Sequence, residues 1–245
     1  MRIISFGKSD PGLKRINNED SFVIKPDPVL LVVSDGMGGE AAGEIASTIL
    51  TETAIEVFSD KAESSQKETS ELIQKVFNKA NQRILDHIKH YPHHRGMGCT
   101  AEVMVFTDDG YVAGHVGDSR IYLLRSGKFT QITEDHSLVQ EQLNRGLITE
   151  IEASTHPLRN ILLRAVGSKE PFMVDIIRGT IYPDDLFLLC SDGLTTMLDD
   201  IMIKHVLGSP TPVSQKVEAL IEMANNAGGF DNITVVISQI IGNES

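Results

Sequence analysis

The chain has 245 residues, of which 41% are hydrophobic and 23% charged. That balance excludes the disordered, fibrous and collagen-like classes. The formal charge is −12, and a surface so negative repels phosphate backbones and anionic headgroups, so neither a nucleic-acid nor a membrane partner is expected.

Aromatic residues make up 5% and Trp is absent, so the core must be built from Leu, Ile, Val and Ala. No apolar run approaches the roughly 18 residues of a membrane span. Met1 to Gly12 lacks the basic-then-apolar plan of a signal peptide. Cys99 and Cys190 sit in apolar surroundings and match no disulfide framework or zinc spacing. Buried reduced thiols in a cytoplasmic protein are the expectation.

In chain order, strand patterns fall at 2–7, 21–25 and 29–34. Glu40 to Phe58 then reads as a helix, with Ala42, Ala46, Ile49, Leu50 and Val57 on one face. A polar stretch from Ser59 to Glu71 leads to a second helix from about Ser70 to His90, marked by Ile73, Val76, Phe77, Ala80, Ile84 and Ile88. Strands at 98–107, 110–117 and 120–125 follow. Thr107-Asp108-Asp109-Gly110 joins the first two as a hairpin, and Ser126-Gly127-Lys128 is a further turn. Ser137 is the expected cap of a short helix at 137–145. Residues 146–165, with Pro157, read as an irregular surface flap. Strands at 173–181 and 186–190 precede a short helix at 198–207, for which Thr195 is the expected cap. A helix from Val213 to Asn226 and a strand at 233–240 complete the chain. Strands in adjacent runs and long helices in pairs argue against a doubly wound parallel sheet. Two antiparallel sheets with helices outside, in one domain over 1–245, is the better plan.

One pattern recurs. The apolar run 30–33 ends in Ser34-Asp35-Gly36, and 186–190 ends in Ser191-Asp192-Gly193. The run 111–116 ends in Gly117-Asp118-Ser119-Arg120, and Asp231-Asn232 opens the last strand. A single such Asp is ordinarily a turn former. Four at equivalent strand ends are not, because an unpaired carboxylate at a core edge carries a desolvation penalty of several kcal/mol. Arg120 is the only adjacent basic residue. Hard divalent cations with oxygen ligands would neutralise the set, and without a matching His or Cys group Mg²⁺ or Mn²⁺ is favoured over Zn²⁺. Near the N-terminus, Arg15 offers a planar fork suited to phosphate, beside Glu19 and Asp20.

Gly12-x-x-Arg15-x-x-Asn18-Glu19-Asp20, Ser34-Asp35-Gly36-Met37-Gly38-Gly39, Gly117-Asp118-Ser119-Arg120, Ser191-Asp192-Gly193 and Asp231-Asn232-Ile233-Thr234 follow one another in this order. Together they resemble the metal-dependent protein phosphatases of type 2C, serine/threonine phosphatases, in their compact bacterial form. The resemblance implies an α+β fold, a four-layer αββα sandwich, with two or three Mn²⁺ or Mg²⁺ ions in a cleft at one end. It implies that Asp35 bridges two metals, that Asp192 and Asp231 complete the first, and that the Gly36 carbonyl binds the second. Glu19 would hold waters of the second metal, Asp20 would orient the bridging water, and Asp118 with Asp192 would hold a third, weaker ion. Arg15 would bind the substrate phosphate. Many family members carry His where this chain has Met37, so the general acid stays unassigned.

The resemblance further implies phosphorylated protein substrates, a Ser/Thr kinase whose work is reversed, and a flap that influences substrate choice. A monomer is the default. Rival readings are an inactive scaffold of the same fold, a Ca²⁺-binding module, and a phosphatase dedicated to an anti-sigma-type regulator. Among features set aside, Asp135-His136-Ser137 reads as a helix cap rather than a triad. His87, His90, His93 and His94 read as a solvated loop, and His115 as a packed, hydrogen-bonded histidine.

Overall fold

The computed structural model describes residues 2–38, 42–59, 65–168 and 173–242. Strands β1 (Arg2–Asp10), β2 (Ser21–Pro26), β3 (Val29–Ser34) and β4 (Gly36–Met37) precede helices α1 (Gly43–Val57) and α2 (Gln66–His90). Strands β5 (Gly98–Cys99), β6 (Ala101–Thr107), β7 (Gly110–Val116), β8 (Arg120–Arg125) and β9 (Lys128–Gln131) come next. Short helices α3 (Leu138–Asn144) and α4 (Glu150–Ser154) lie before β10 (Asp175–Gly179) and β11 (Leu186–Cys190). The chain ends with α5 (Asp192–Thr195), α6 (Asp200–Leu207), α7 (Val213–Asn226) and β12 (Ile233–Ile241).

The strands form two five-stranded sheets, ordered β1-β12-β11-β8-β9 and β10-β7-β6-β3-β2, and a small β4-β5 pair, with every neighbour antiparallel. Side-chain alternation explains why they stack. On β3, Leu31 and Val33 face the other sheet, while Leu30 and Val32 face α1 and α2. On β11, Phe187 and Leu189 face the sheet that holds β3, while Leu186, Leu188 and Cys190 meet the α5–α7 side. Strands buried on both faces read as continuous apolar runs, as these do. With few aromatics available, Phe187 anchors the inter-sheet layer by edge contacts with Phe106 and Tyr111, at centroid distances of 5.4 and 5.0 Å. The expected αββα layering is present.

Several local expectations are corrected. The 98–107 strand breaks at Thr100, because Thr100 turns its hydrogen bonds onto Asp35: its N–H donates to the Asp35 carbonyl at 2.8 Å and its hydroxyl accepts from the Asp35 N–H at 2.9 Å. Thr195 does not cap the 198–207 helix. It lies inside α5, and Asp199 caps α6 instead, accepting from the Met202 N–H at 2.8 Å. The second long helix starts earlier than expected, at a capping box formed by Ser65 and Glu68. The flap holds a short helix of its own, α4, capped by Thr149 and Glu152. Ser137 does cap α3, accepting from the Gln140 N–H at 3.3 Å. Glu40, the expected start of α1, lies outside the described residues.

Candidate active site

Antiparallel register gathers the motifs at one end. Asp10 faces Ile233, Ser21 faces Ser34, Cys190 faces Arg120, and Ala101 faces Val116. The segments leaving those positions carry Arg15, Glu19, Asp20, Asp35, Asp118, Asp192 and Asp231. Two backbone features let them approach. A Cβ on Gly36 would overlap the carbonyls of Gly43 and Glu19. Gly117, at φ 116°, makes the turn after β7 in the region that favours glycine.

Asp20, Asp35, Asp118 and Asp192 keep an opening to solvent but are walled in by protein. Burial pushes the Asp20 carboxyl up to about 7 against the pull of hydrogen bonds from Thr234 and Ser191. Burial, then the charges of Asp20, Asp192, Asp118 and Asp231, holds Asp35 well above the carboxylate range. Burial and Asp192 push Asp118 up to about 8, and burial and Asp231 raise Asp192. Desolvation and mutual repulsion act together here. Glu19 is raised by burial and lies against the first residue of α1, where a Cβ on Gly43 would collide with its carboxylate.

The cations nearby are few and mostly engaged. Arg15 donates from Nη2 to Asp231 Oδ2 at 2.8 Å. Its side chain is 54% exposed, so the fork is free to swing toward an incoming phosphate. The Asp231 charge is the main reason its guanidinium is held further above the usual range. Arg120 acts on Asp118 and Asp192 through its charge alone, while its hydrogen bonds go elsewhere. It makes a forked pair with Asp135, at 2.9 and 2.7 Å, and donates to the Tyr122 hydroxyl at 3.0 Å.

Sequence reasoning missed the residues that hold this set in place. Ser191 and Thr234 both donate hydroxyl protons to Asp20 Oδ2, at 2.7 and 2.6 Å. The Asn232 amide group donates to the carbonyls of Pro11 and Asn17 at 3.0 and 2.9 Å and accepts from the Glu19 N–H at 2.8 Å, tying the Arg15 loop to the mouth of β12. Thr100 links Asp35 to Ser119 beside Asp118 through a hydroxyl contact of 2.7 Å. Ser191, Thr234 and Asn232 lay within the quoted motifs without a role. Thr100 had no local signal.

The donors suit a hard cation. They are all oxygen, and Asp20 Oδ1 is buried without a hydrogen-bond partner. No three His, Cys, Asp or Glu side chains among the described residues are closed into a finished metal-binding group. Asp35 and Asp192 lie within side-chain hydrogen-bond reach of each other, and the charges of Asp20, Asp118 and Asp231 act on the same pair. Cys99 and Cys190 are buried and free, and burial pushes Cys99 up to about 12, so neither thiol supplies a nucleophile.

The profile of the protein phosphatase 2C family matches residues 14–232, and the chain belongs to that family. It is 37% identical over 232 residues to protein phosphatase PhpP of Streptococcus pneumoniae, covering 94% of each chain. It is 38% identical over 242 residues to the serine/threonine phosphatase stp of Listeria monocytogenes, covering 94% of this chain and 93% of that one. Its fold is similar to that of the Mycobacterium tuberculosis serine/threonine phosphatase PstP, with TM-score 0.92 and 35% identity over 99% of this chain and 100% of that one. A PstP catalytic domain in complex with two manganese ions gives TM-score 0.89 and 34% identity, covering 98% of this chain and 99% of that one. The protein is a protein-serine/threonine phosphatase of type 2C.

Proposed function

We propose that the enzyme removes phosphate from phosphoserine and phosphothreonine in proteins with two or three Mn²⁺ or Mg²⁺ ions. Asp35, the Gly36 carbonyl, Asp118, Asp192, Asp231 and Glu19 are the residues that would hold them. When bound, such cations supply Lewis-acid charge for activating water and for stabilising the phosphoryl oxygens. Arg15 leaves Asp231 to clamp the dianionic phosphate with its fork. Asp20, fixed through one oxygen by Ser191 and Thr234, turns its unpartnered oxygen toward the attacking water and orients it. Met37 has no proton to give, so the leaving alkoxide takes its proton from another source.

The observation that carries this reading is the charge imbalance: five aspartates face one cleft, while Arg120 is spent on Asp135. A dead scaffold would have no reason to keep that imbalance. Phosphoserine and phosphothreonine in proteins are products of protein kinases, so the enzyme stands opposite such a kinase. We assign it to the cytoplasm as one catalytic unit acting as a monomer. Its two unpaired buried cysteines suit a reducing compartment, and no helix among the described residues is long and apolar enough to cross a membrane. The deciding measurement is Mn²⁺-dependent phosphate release from a phosphothreonine peptide, with Asp192→Ala as control. Release by the wild type and loss in the variant are expected. No release by the wild type, or equal release by both, overturns the reading.

A further inference from the structure

His136 lies where three separate segments meet. Its side chain is 8% exposed. Nδ1 accepts from the Gly117 N–H at 3.1 Å, and the His136 N–H donates to the Gly117 carbonyl at 2.7 Å. Ring and backbone thus grip Gly117 from both sides, and Gly117 directly precedes Asp118. With Nδ1 occupied as an acceptor, the ring proton is assigned to Nε2, which faces Asp175 Oδ2 on β10 at 3.2 Å and has Arg164 Nη1 beside it at 3.1 Å. The other oxygen of Asp175 accepts from Arg164 at 3.0 Å. Arg164 belongs to the return of the flap, where the neighbouring Leu163 N–H donates to the His136 carbonyl at 2.7 Å. The opposite side of the ring rests on His115 at a centroid distance of 4.5 Å. His115 is itself fixed by Glu102 at 2.5 Å and the Glu134 carbonyl at 2.8 Å. Burial and the charge of His115 push His136 down to about 4, so the ring stays neutral and Nδ1 stays an acceptor.

These contacts form an unbroken line: Arg164, Asp175, the His136 ring, the Gly117 N–H, Asp118. Asp118 and the flap that Arg164 closes share one space. A cavity of about 460 Å³ is lined by Glu150, Arg159 and Asn160 from the flap and by Asp118 and Asp192 from the strand ends. A peptide lying there would touch the flap and the carboxylates together. We propose that His136 is a positioning residue that sets the Asp118 turn according to where the flap return lies. The inference rests on the reading of Asp118 as an active-site carboxylate.

The test uses the full chain and reads hydrogen exchange of the Gly117 amide without added metal. His136→Ala removes the acceptor and should speed exchange about tenfold, the effect of losing one hydrogen bond of ordinary strength. Arg164→Ala and Asp175→Ala leave the acceptor in place but free the ring, and each should speed exchange about threefold. His136→Asn keeps an acceptor at the Nδ1 position without reaching Asp175. It should restore protection, and Arg164→Ala added to it should change nothing further. In turnover of a phosphothreonine peptide, Arg164→Ala should raise the half-saturating Mn²⁺ concentration about threefold, but only where His136 is present. Unchanged Gly117 exchange in both Arg164→Ala and Asp175→Ala overturns the inference while leaving the reading of Asp118 intact. An unchanged Mn²⁺ requirement in Asp118→Asn overturns that reading, and the inference with it.

Discussion

Strand β11 carries an aspartate near each end, Asp185 before Leu186 and Asp192 after Ser191, and its neighbour β8 begins with Arg120 and ends with Arg125. At the far end the charges close on each other. Arg125 Nε and Nη2 donate to the two oxygens of Asp185 at 2.8 and 2.7 Å, the Tyr182 N–H adds a third bond at 2.8 Å, and the guanidinium lies 4.6 Å over the Tyr182 ring. At the near end Arg120 turns away to Asp135 and leaves Asp192 facing Asp35 and Asp231. One end of the sandwich satisfies its charge within the chain, and the other leaves negative charge open to solvent. The first arrangement serves stability. The second sacrifices some stability for a site that draws in cations.

Removing the two aspartates should therefore have opposite consequences, and this is the largest expected contrast. Asp192→Ala should lower phosphate release about 100-fold or more, several kcal/mol of lost transition-state stabilisation. The metal-free variant should unfold no more easily than wild type in urea, because like-charge repulsion is relieved. Asp185→Ala should destabilise by about 2 kcal/mol, below the usual figure for breaking a buried pair because Arg125 is 33% exposed. Its turnover per folded molecule should stay within about twofold of wild type. A metal-free Asp192→Ala that unfolds more easily, or an Asp185→Ala that folds but does not turn over, breaks the comparison.

The open end should also be a place where cations stabilise the fold. Mn²⁺ at about 100 times its dissociation constant should add about 2.7 kcal/mol per site, or roughly 5–10 °C in Tm for a chain of this size. Calorimetric scans with Mn²⁺ and with chelator measure the shift. A similar shift in Asp192→Ala would place the cations elsewhere.

How much of this was legible depended on distance along the chain. The strand-end aspartates were readable because each sits in a local pattern, an apolar run broken by Ser-Asp-Gly or Gly-Asp-Ser. The groups that support them are non-local. Thr100 reaches Asp35 across 65 positions and Ser191 reaches Asp20 across 171, and no sequence window holds both partners. Arg120 was legible as a cation beside Asp118, but its choice of Asp135 was not. Helix α4 was missed because five residues are too few to show a helical period. Asp135-His136-Ser137 was read as a cap, which is true of Ser137. That reading concealed His136, whose partners Gly117 and Asp175 lie on strands remote in sequence.

A smaller effect separates the two roles at the open end. Arg15 rests on Asp231 but is half-exposed, so its loss should weaken phosphate binding and leave the cation ligands in place. Arg15→Ala should raise KM for a phosphothreonine peptide about tenfold, as for one charge-assisted hydrogen bond, while calorimetric Mn²⁺ affinity changes less than about twofold. Loss of Mn²⁺ affinity instead would make Arg15 an organiser of the carboxylates.

The smallest effect lies at His136, behind the Asp118 turn, and is read from acid stability. The pKa of His136 is pushed down from 6.5 to about 4 by burial first and by His115 second. Between those values the unfolded chain binds a proton that the folded ring refuses. Its contribution to stability is therefore complete above pH 6.5 and is lost as pH falls toward 4, at about 1.4 kcal/mol per pH unit. Glu102 and Asp20, both raised to about 7, and His115, raised to about 9, run the other way. They keep protons in the folded state that the unfolded state gives up, so they favour the fold on acidification. Asp175, which His136 helps hold below the usual range, stays charged in this interval, so the gap between the urea stabilities of wild type and His136→Asn reads the ring together with its contact on His115. Any advantage of wild type should shrink by about 2 kcal/mol from pH 6.5 to pH 5. Parallel curves would mean that His136 accepts a proton in the folded state. Its Nδ1 would then no longer be reserved for Gly117, and the flap return and the Asp118 turn would not be joined through it.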